Sequence, residues 1–369
     1  MKKKIKVLHV QITENFGGIE SLLTNIYENI DRNVYQFDFI ATGANQYQEK
    51  LKELGGRIYV MPSIRLFASY VRKFNFILKN NYDVVHFHKN SAANIIPILL
   101  VKYHSSHPKI IIHSHNTSPS INNKGLLILH MINRSLLNRI SDKRVACAKV
   151  AAKWMFGTEN NIQIINNGID IKKFSYSSKN RNLIREKLGI ASSDIVLGNV
   201  GRFSEQKNQS FLIDIFSIFK EKIPNSKLIL VGDGYLLKKV EEKVKSLGLA
   251  SKVIFTGKIN NIPDFLSAMD VFVMPSLYEG LPISAVEAQA EGLKVFLSDS
   301  ISKEVVLTNR TKLFSLKQKP NEIADMIFKN SESDDRVSGL KRIVDSYSLD
   351  NTVKNFNNLY QGILNNEKY

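Results

Sequence analysis

The sequence predicts an α/β fold of two doubly wound domains, and three observations predict it. Short apolar runs recur along the chain with helical patterns between them. Such alternation means a parallel sheet with helices on both faces. The series stops at the turn cluster Asn166-Asn167-Gly168-Ile169-Asp170 and the polar stretch Ser175–Asn182, then begins again. The 369 residues suffice for two domains with separate cores.

The first series opens with Ile5–Val10, read as a buried strand. The loop Glu14-Asn15-Phe16-Gly17-Gly18 follows, then a helix from about Ile19 to Ile30. Further strands are expected at Tyr35–Ala41, Arg57–Met61, Asp83–His88, Lys109–His113 and Lys143–Cys147. The second series places strands at Ile195–Val200, Lys227–Val231, Lys252–Phe255, Val271–Met274 and Lys294–Leu297. The boundary falls near residue 168, giving domains 1–168 and 169–348. No tandem repeat or low-complexity segment interrupts either series.

Composition narrows the function classes. No apolar run reaches the roughly 18 residues of a membrane span. The start Met1-Lys-Lys-Lys-Ile does not read as a secretory signal, and Cys147 is the only cysteine, so no intramolecular disulfide forms. Both points suit the cytoplasm. The net charge is +17, and residues 1–168 carry 22 Lys and Arg against 10 Asp and Glu. A basic half points to nucleic acid or an anionic membrane surface. No helix-turn-helix, zinc-finger or RNA-binding aromatic motif is present, so the membrane is favoured over nucleic acid. An ordinary basic protein is the plain alternative.

Residues 271–297 are the most informative stretch. A buried strand at Val271–Met274 ends at Pro275-Ser276. A helix is expected from Pro282, in its first turn, to about Glu291, where Gly292 stops it. Glu279 lies in the loop and Glu287 inside the helix, with seven residues between them. Gly280 permits close approach to the backbone. Amides around Leu281 to Ser284 form an anion site at the helix start. Carboxylates beside an anion site accept hydrogen bonds from sugar and ribose hydroxyls, so the set suits a nucleotide diphosphate with a sugar at each end.

With Tyr278-Glu-Gly-Leu-Pro before it and Ser284-Ala-Val-Glu-Ala within it, this pair resembles the EX7E motif of the retaining family-4 glycosyltransferases of GT-B fold. The resemblance covers essentially the whole chain and is most specific in the second domain. It implies two Rossmann-like domains facing a central cleft. It also implies a C-terminal helix, Leu349–Leu364 within 349–369, crossing back onto the first domain.

Rossmann-type sheets bind ligands beyond the carboxyl ends of their strands, and the candidates fall there. Arg202 and Lys207 follow Ile195–Val200, and the resemblance assigns them to the donor diphosphate. Arg offers a planar fork and Lys a point charge. Glu279 would hold the donor sugar's hydroxyls, with amides of Gly280 and Leu281 nearby, and Glu287 the ribose hydroxyls. Gly17 and Gly18 resemble the loop beneath the donor phosphates and sugar, although they lack the Gly-x-Gly-x-x-Gly spacing of a dinucleotide fold. Gly232 follows Lys227–Val231. Gly257-Lys258 resembles the turn that borders the nucleobase. No Asp-x-Asp motif stands where it would hold a metal; two cations and a helix N-terminus can neutralise the leaving diphosphate. No metal and no cofactor are therefore expected.

His86, His88, His113 and His115 form two His-x-His pairs. Residues i and i+2 share one strand face, which admits a metal reading. No cysteine or suitably spaced carboxylate joins them, so buried or strand-end histidines are the preferred reading. His115 resembles the family's histidine near the transferred sugar, with His113 the rival. Asn116 departs from the family's more usual His-Asp.

The acceptor side is less specific. Ser63–Asn80 and Gly125–Arg144 each read either as a basic amphipathic helix lying on a membrane or as a core face with a solvated edge. The expected activity is retaining transfer from a nucleotide-diphosphate sugar, with uridine the default base. The expected acceptor is a glycan or lipid-linked oligosaccharide at the inner membrane face, as in capsule or exopolysaccharide assembly. A sugar-nucleotide epimerase of the same fold, or a non-catalytic accessory subunit, are the alternatives.

Overall fold

The computed structural model describes residues 3–12, 17–43, 47–116, 124–331, 336 and 340–365. The chain divides into two compact units, one of residues 1–168 with 349–369 and one of residues 169–348. Residues 14–16 of the predicted glycine loop, and 366–369 at the end of the C-terminal segment, lie outside the described residues.

In the first unit seven strands form one sheet. They are β1 (Ile5–Ile12), β2 (Tyr35–Ala41), β3 (Arg57–Val60), β4 (Val84–Lys89), β5 (Lys109–Ser114), β6 (Lys143–Ala146) and β7 (Gln163–Ile164). Every pairing is parallel, in the order β3-β2-β1-β4-β5-β6-β7. The order reverses between β1 and β4, which makes a topological switch point at their carboxyl ends. β4 is buried along its whole length, as a central parallel strand covered on both faces must be.

One face of this sheet changes character along the strands. At the strand starts it is apolar, with Val7, Val84, Ile111 and Val145 in the core. Toward the carboxyl ends His9, His86, His88 and His113 are also buried. The register sets His9 beside His86 and His88 beside His113. Helix Leu349–Leu364 lays Phe356, Leu359 and Tyr360 on the same core. It is tied there by Tyr35 Oη donating to Asn357 Oδ1 at 2.8 Å and Thr352 Oγ1 donating to the Asn166 carbonyl at 2.9 Å.

The second unit repeats the winding. Its strands are β8 (Ile195–Val200), β9 (Ser226–Val231), β10 (Val253–Gly257), β11 (Val271–Met274), β12 (Lys294–Ser298) and β13 (Thr311–Phe314). Their order is β10-β9-β8-β11-β12-β13, again all parallel, with the switch between β8 and β11. One face packs on Ile213, Phe216 and Phe219 of helix Gln209–Lys222. The other packs on Ala285, Val286 and Ala288 of helix Ile283–Ala290. Asp270 anchors the start of β11 through Arg181 and Arg185, each 2.7 Å away.

The predicted strands are present with ends shifted by at most two residues, and Tyr35–Ala41, Ile195–Val200 and Val271–Met274 are unshifted. Two strands escaped the sequence reading. β7 has only two residues, too few for a period, and β13 begins Thr311-Lys312, without an apolar run. The helix after Glu279 also starts later than expected. Pro282 has φ −76° and ψ 90°, outside the helical region, so it caps the helix instead of entering its first turn.

Candidate active site

The second unit builds its candidates on both sides of its switch point. After β8 the chain makes a single 3₁₀ turn, Glu205–Lys207, and then Asn208, in the left-handed region at φ 53°, starts helix Gln209–Lys222. After β11 the chain runs through Pro275 to Pro282 before helix Ile283–Ala290. The two loops are zipped together. Leu277 N–H donates to the Gln206 carbonyl at 2.8 Å, Gln206 Nε2 donates to the Tyr278 carbonyl at 3.0 Å, and Asn208 Nδ2 donates to the Pro275 carbonyl at 3.2 Å.

That lacing brings Lys207 and Glu279 into an ion pair of 2.7 Å. Gln206 Nε2 donates to the other oxygen of Glu279 at 3.3 Å. The carboxylate is 7% exposed, so a cation and a hydrogen bond compensate its burial. Lys207 is itself half-buried, its methylenes lying over Gly201, where a Cβ would come within 3.3 Å of them. Arg202 is exposed, and its carbonyl accepts from Gln209 Nε2 at 3.0 Å. Gln206 was not singled out from the sequence; its place between Arg202 and Lys207 was the available signal.

Gly232 is required for a backbone reason. Its φ is +134°, and a Cβ would lie 2.1 Å from the Gly201 carbonyl oxygen. Its N–H donates to the Gly257 carbonyl at 3.0 Å. Space and donor are thus committed to the protein, and Gly232 shapes the edge on which Gly201 sits. Lys258 is exposed beyond Gly257. Gly280 is buried and Leu281 packs against the core. Glu287, partly buried on helix Ile283–Ala290, has its carboxyl pushed up to about 7 by burial, with Lys173 pulling the other way. A carboxyl poised there changes charge readily when its surroundings change.

In the first unit, Gly17 precedes helix Gly18–Asn29, and its N–H donates to Glu20 Oε2 at 3.0 Å. Gly18 opens the helix, and a Cβ there would meet nothing within 4 Å. His115 follows β5 directly and is partly buried. It belongs to a patch of five histidines, including His9, which sequence reasoning missed because register between β1 and β4 cannot be read from the chain. His88 Nδ1 faces His115 Nε2 at 2.9 Å and His88 Nε2 faces His9 Nδ1 at 3.0 Å. His86 Nδ1 meets Tyr360 Oη at 3.0 Å. Burial pushes His9 and His115 down to about 3 and holds His86, His88 and His113 well below the usual imidazole range, so the patch is neutral. Lys89, buried at the end of β4, donates to the Asn94 carbonyl at 3.1 Å and is lowered by burial to about 8.

The two basic amphipathic segments are helices Phe67–Leu78 and Lys124–Ile140. The first exposes Phe67 and Phe76; the second exposes Leu126, Ile128, Leu129, Met131 and Ile132. No helix among the described residues is long and apolar enough to cross a membrane.

Comparison with known proteins identifies the family. Residues 180–342 match the family described as glycosyl transferases group 1, and residues 16–173 match glycosyltransferase family 4. The protein named glycosyltransferase EpsF of Bacillus subtilis is 35% identical over 312 residues, 81% of this chain and 80% of EpsF. The Escherichia coli UDP-Gal:alpha-D-GlcNAc-diphosphoundecaprenol alpha-1,3-galactosyltransferase is 25% identical over 96% of this chain and 92% of its own length. Among solved structures, HepE of Anabaena in complex with UDP and glucose superposes with a TM-score of 0.81 at 20% identity, over 97% of this chain and 99% of HepE. That last likeness shows the shared GT-B fold.

Proposed function

This chain belongs to the GT-B glycosyltransferases of group 1/family 4 type, and from that premise we propose that it moves a sugar from a UDP-sugar to a lipid-linked glycan with retention of anomeric configuration. The observation that carries the reading is the Lys207–Glu279 pair, held by loops from the two strands that flank the switch point. A diphosphate arriving there finds Lys207 and the exposed Arg202. The sugar it carries finds the Glu279 carboxylate and the amides of Gly280 and Leu281. Glu287 accepts the ribose hydroxyls, and the turn at Gly257-Lys258 borders the base. Gly232 keeps the Gly201 turn close enough for Lys207 to lie across it.

In this reading the acceptor hydroxyl attacks on the face the diphosphate leaves. The bond from the anomeric carbon to the phosphate oxygen breaks as the new glycosidic bond forms, and the hydroxyl proton passes to the departing phosphate. Arg202 and Lys207 stabilise the charge that develops there. No covalent nucleophile and no metal ion on the diphosphate are needed. The family resemblance assigns Gly17 and Gly18 to the donor phosphates and sugar, and His115 to the transferred sugar. Support for the base and the acceptor comes from relatives: HepE is described with UDP, and the Escherichia coli enzyme is named for a UDP donor and a diphosphoundecaprenol acceptor. Screening nucleotide sugars by thermal shift and hydrolysis tests the donor. A shift with UDP-sugars that persists in EDTA is expected; no response to any UDP-sugar, or activity lost on chelation, overturns the reading.

The acceptor side is proposed to rest on anionic lipid at the inner membrane face. Apolar side chains exposed beside Arg72, Lys73, Arg134 and Arg139 are the observation behind it. Near such a surface each basic residue contributes roughly 1 kcal/mol. The protein is expected to co-sediment with anionic but not neutral vesicles, and to leave them in high salt. Changing the four basic residues to Glu should abolish sedimentation and spare donor hydrolysis. Unchanged sedimentation would reduce both helices to ordinary surface.

A further inference from the structure

We propose that His88, His113 and His115 form a site for a borderline divalent cation, with Zn²⁺ the first to test. Five of the chain's eight histidines share one patch at the carboxyl end of the first sheet. His88 and His113 are register partners on β4 and β5, and His115 lies two residues further on. Their ring centroids are 4.0 to 5.6 Å apart. One ring nitrogen from each lies within 4.8 Å of the others. Zinc bonds imidazole nitrogen at about 2.0–2.1 Å, so a tetrahedral site needs these nitrogens about 3.4 Å apart. Small side-chain rotations on fixed strands close that difference.

Unmet polar atoms point the same way. Both ring nitrogens of His113 are buried without a hydrogen-bond partner, and so is His115 Nδ1. A neutral imidazole always carries one N–H, so His113 leaves a buried donor unsatisfied, which is destabilising. His9 and His86 each lack a partner only at Nε2, so His113 is the one ring of the patch with neither nitrogen engaged. His130 accepts from the Ala92 N–H at 2.9 Å and meets the Trp154 carbonyl at 3.2 Å. Asp38 accepts from Arg57 and from Tyr82. A buried group left without partners calls for a reason, and a bound ion is one.

The donor set fits the ion. Three imidazoles suit zinc, copper or nickel rather than magnesium or calcium. His88 Nε2 against His9 Nδ1 would fix the ring that offers Nδ1. The ion would replace the proton now shared between His88 Nδ1 and His115 Nε2. Partly exposed His115 gives an entry and leaves a fourth position for water. The set His9, His86 and His88 is the competitor, but it is wholly buried and His86 is engaged by Tyr360. On the proposed sugar-transfer reading, ion and sugar compete for His115, which makes this cation a brake and not a cofactor.

The test is binding to the full chain, so it stands or falls apart from the transfer reaction. Chelator-treated protein is titrated with Co²⁺, read by its visible d–d bands, and competed with Zn²⁺; bound metal is counted after dialysis. One ion per chain with intense tetrahedral bands is expected. His113→Gln and His115→Gln should each weaken binding at least a hundredfold, and His86→Gln should leave it unchanged. Should His113→Gln fail to fold by circular dichroism, the partly exposed His115→Gln decides alone. Absence of stoichiometric binding, binding that survives His115→Gln, or binding lost with His86→Gln overturns the proposal.

Discussion

In the first unit the carboxyl edge of the sheet ends in neutral imidazoles packed against Phe356 and Tyr360. In the second, the same winding ends in a lysine paired to a glutamate, with an exposed arginine beside them. The scaffold is common, so the difference lies in what the loops bring to it. Buried, uncharged rings do little against the charge of a diphosphate, whereas cations of the kind Arg202 and Lys207 offer are what such a group pairs with. Two similar sheets thereby suit different work: one edge carries charge, and the other offers the lone pairs of buried, neutral imidazoles.

The sharpest way to break that contrast is to remove the charges. Arg202→Ala and Lys207→Ala are each expected to lower turnover by about 10²–10³, the scale for one preorganised charge-stabilising group. Steady-state kinetics with a hydrolysable donor would read this, and wild-type turnover in either variant would dissolve the distinction between the two edges.

A smaller effect is expected at Glu287. Glu287→Ala should weaken UDP binding roughly ten- to a hundredfold, the scale of hydrogen bonds to a charged group. The pH dependence carries a sign. The free carboxyl sits near 7, and hydroxyl donors favour its charged form. Binding should therefore release a proton, and affinity should rise between pH 6 and pH 7. Calorimetry in buffers of different ionisation enthalpy would show the release, and its absence would remove Glu287 from the ribose.

The smallest effect concerns stability. A carboxyl raised from 4.5 to about 7 favours the fold fully below pH 4.5 and loses that contribution as pH rises through 7. Glu287→Gln should flatten this decline by on the order of 1 kcal/mol, since the side chain remains partly solvated. Urea titrations at pH 5 and pH 7.5 on both proteins would detect it; parallel curves would mean the carboxyl is not strained by burial.

The fold was legible because its signal is local. β11 is a continuous apolar run, β1, β4 and β8 are mainly apolar, and Gly292, at φ +75°, stops the helix before β12 as expected. β7 and β13 were not legible, since neither carries an apolar period. At the candidate site, the loop sequences named Arg202, Lys207 and Glu279 but not the contact between Lys207 and Glu279. That contact depends on Gln206 and Asn208 lacing two loops about 70 residues apart. His9 was illegible for a related reason: a lone histidine on β1 gains meaning only when β4 pairs beside it. The requirement for glycine at 232 likewise comes from Gly201, 31 positions earlier.

One feature of the first unit bears on how the chain is made. Its core includes Phe356 and Tyr360, which follow the second unit in the chain, whereas residues 169–348 form an uninterrupted unit. On a ribosome emitting about 5–20 residues per second, the strands of the first sheet emerge roughly 10 to 40 s before the helix that covers their imidazole face. The later-born unit holds every segment it needs first, so the order of completion reverses the order of synthesis. Until helix Leu349–Leu364 arrives, an apolar and histidine-lined surface stands open on the nascent chain, the kind of surface that chaperones shield.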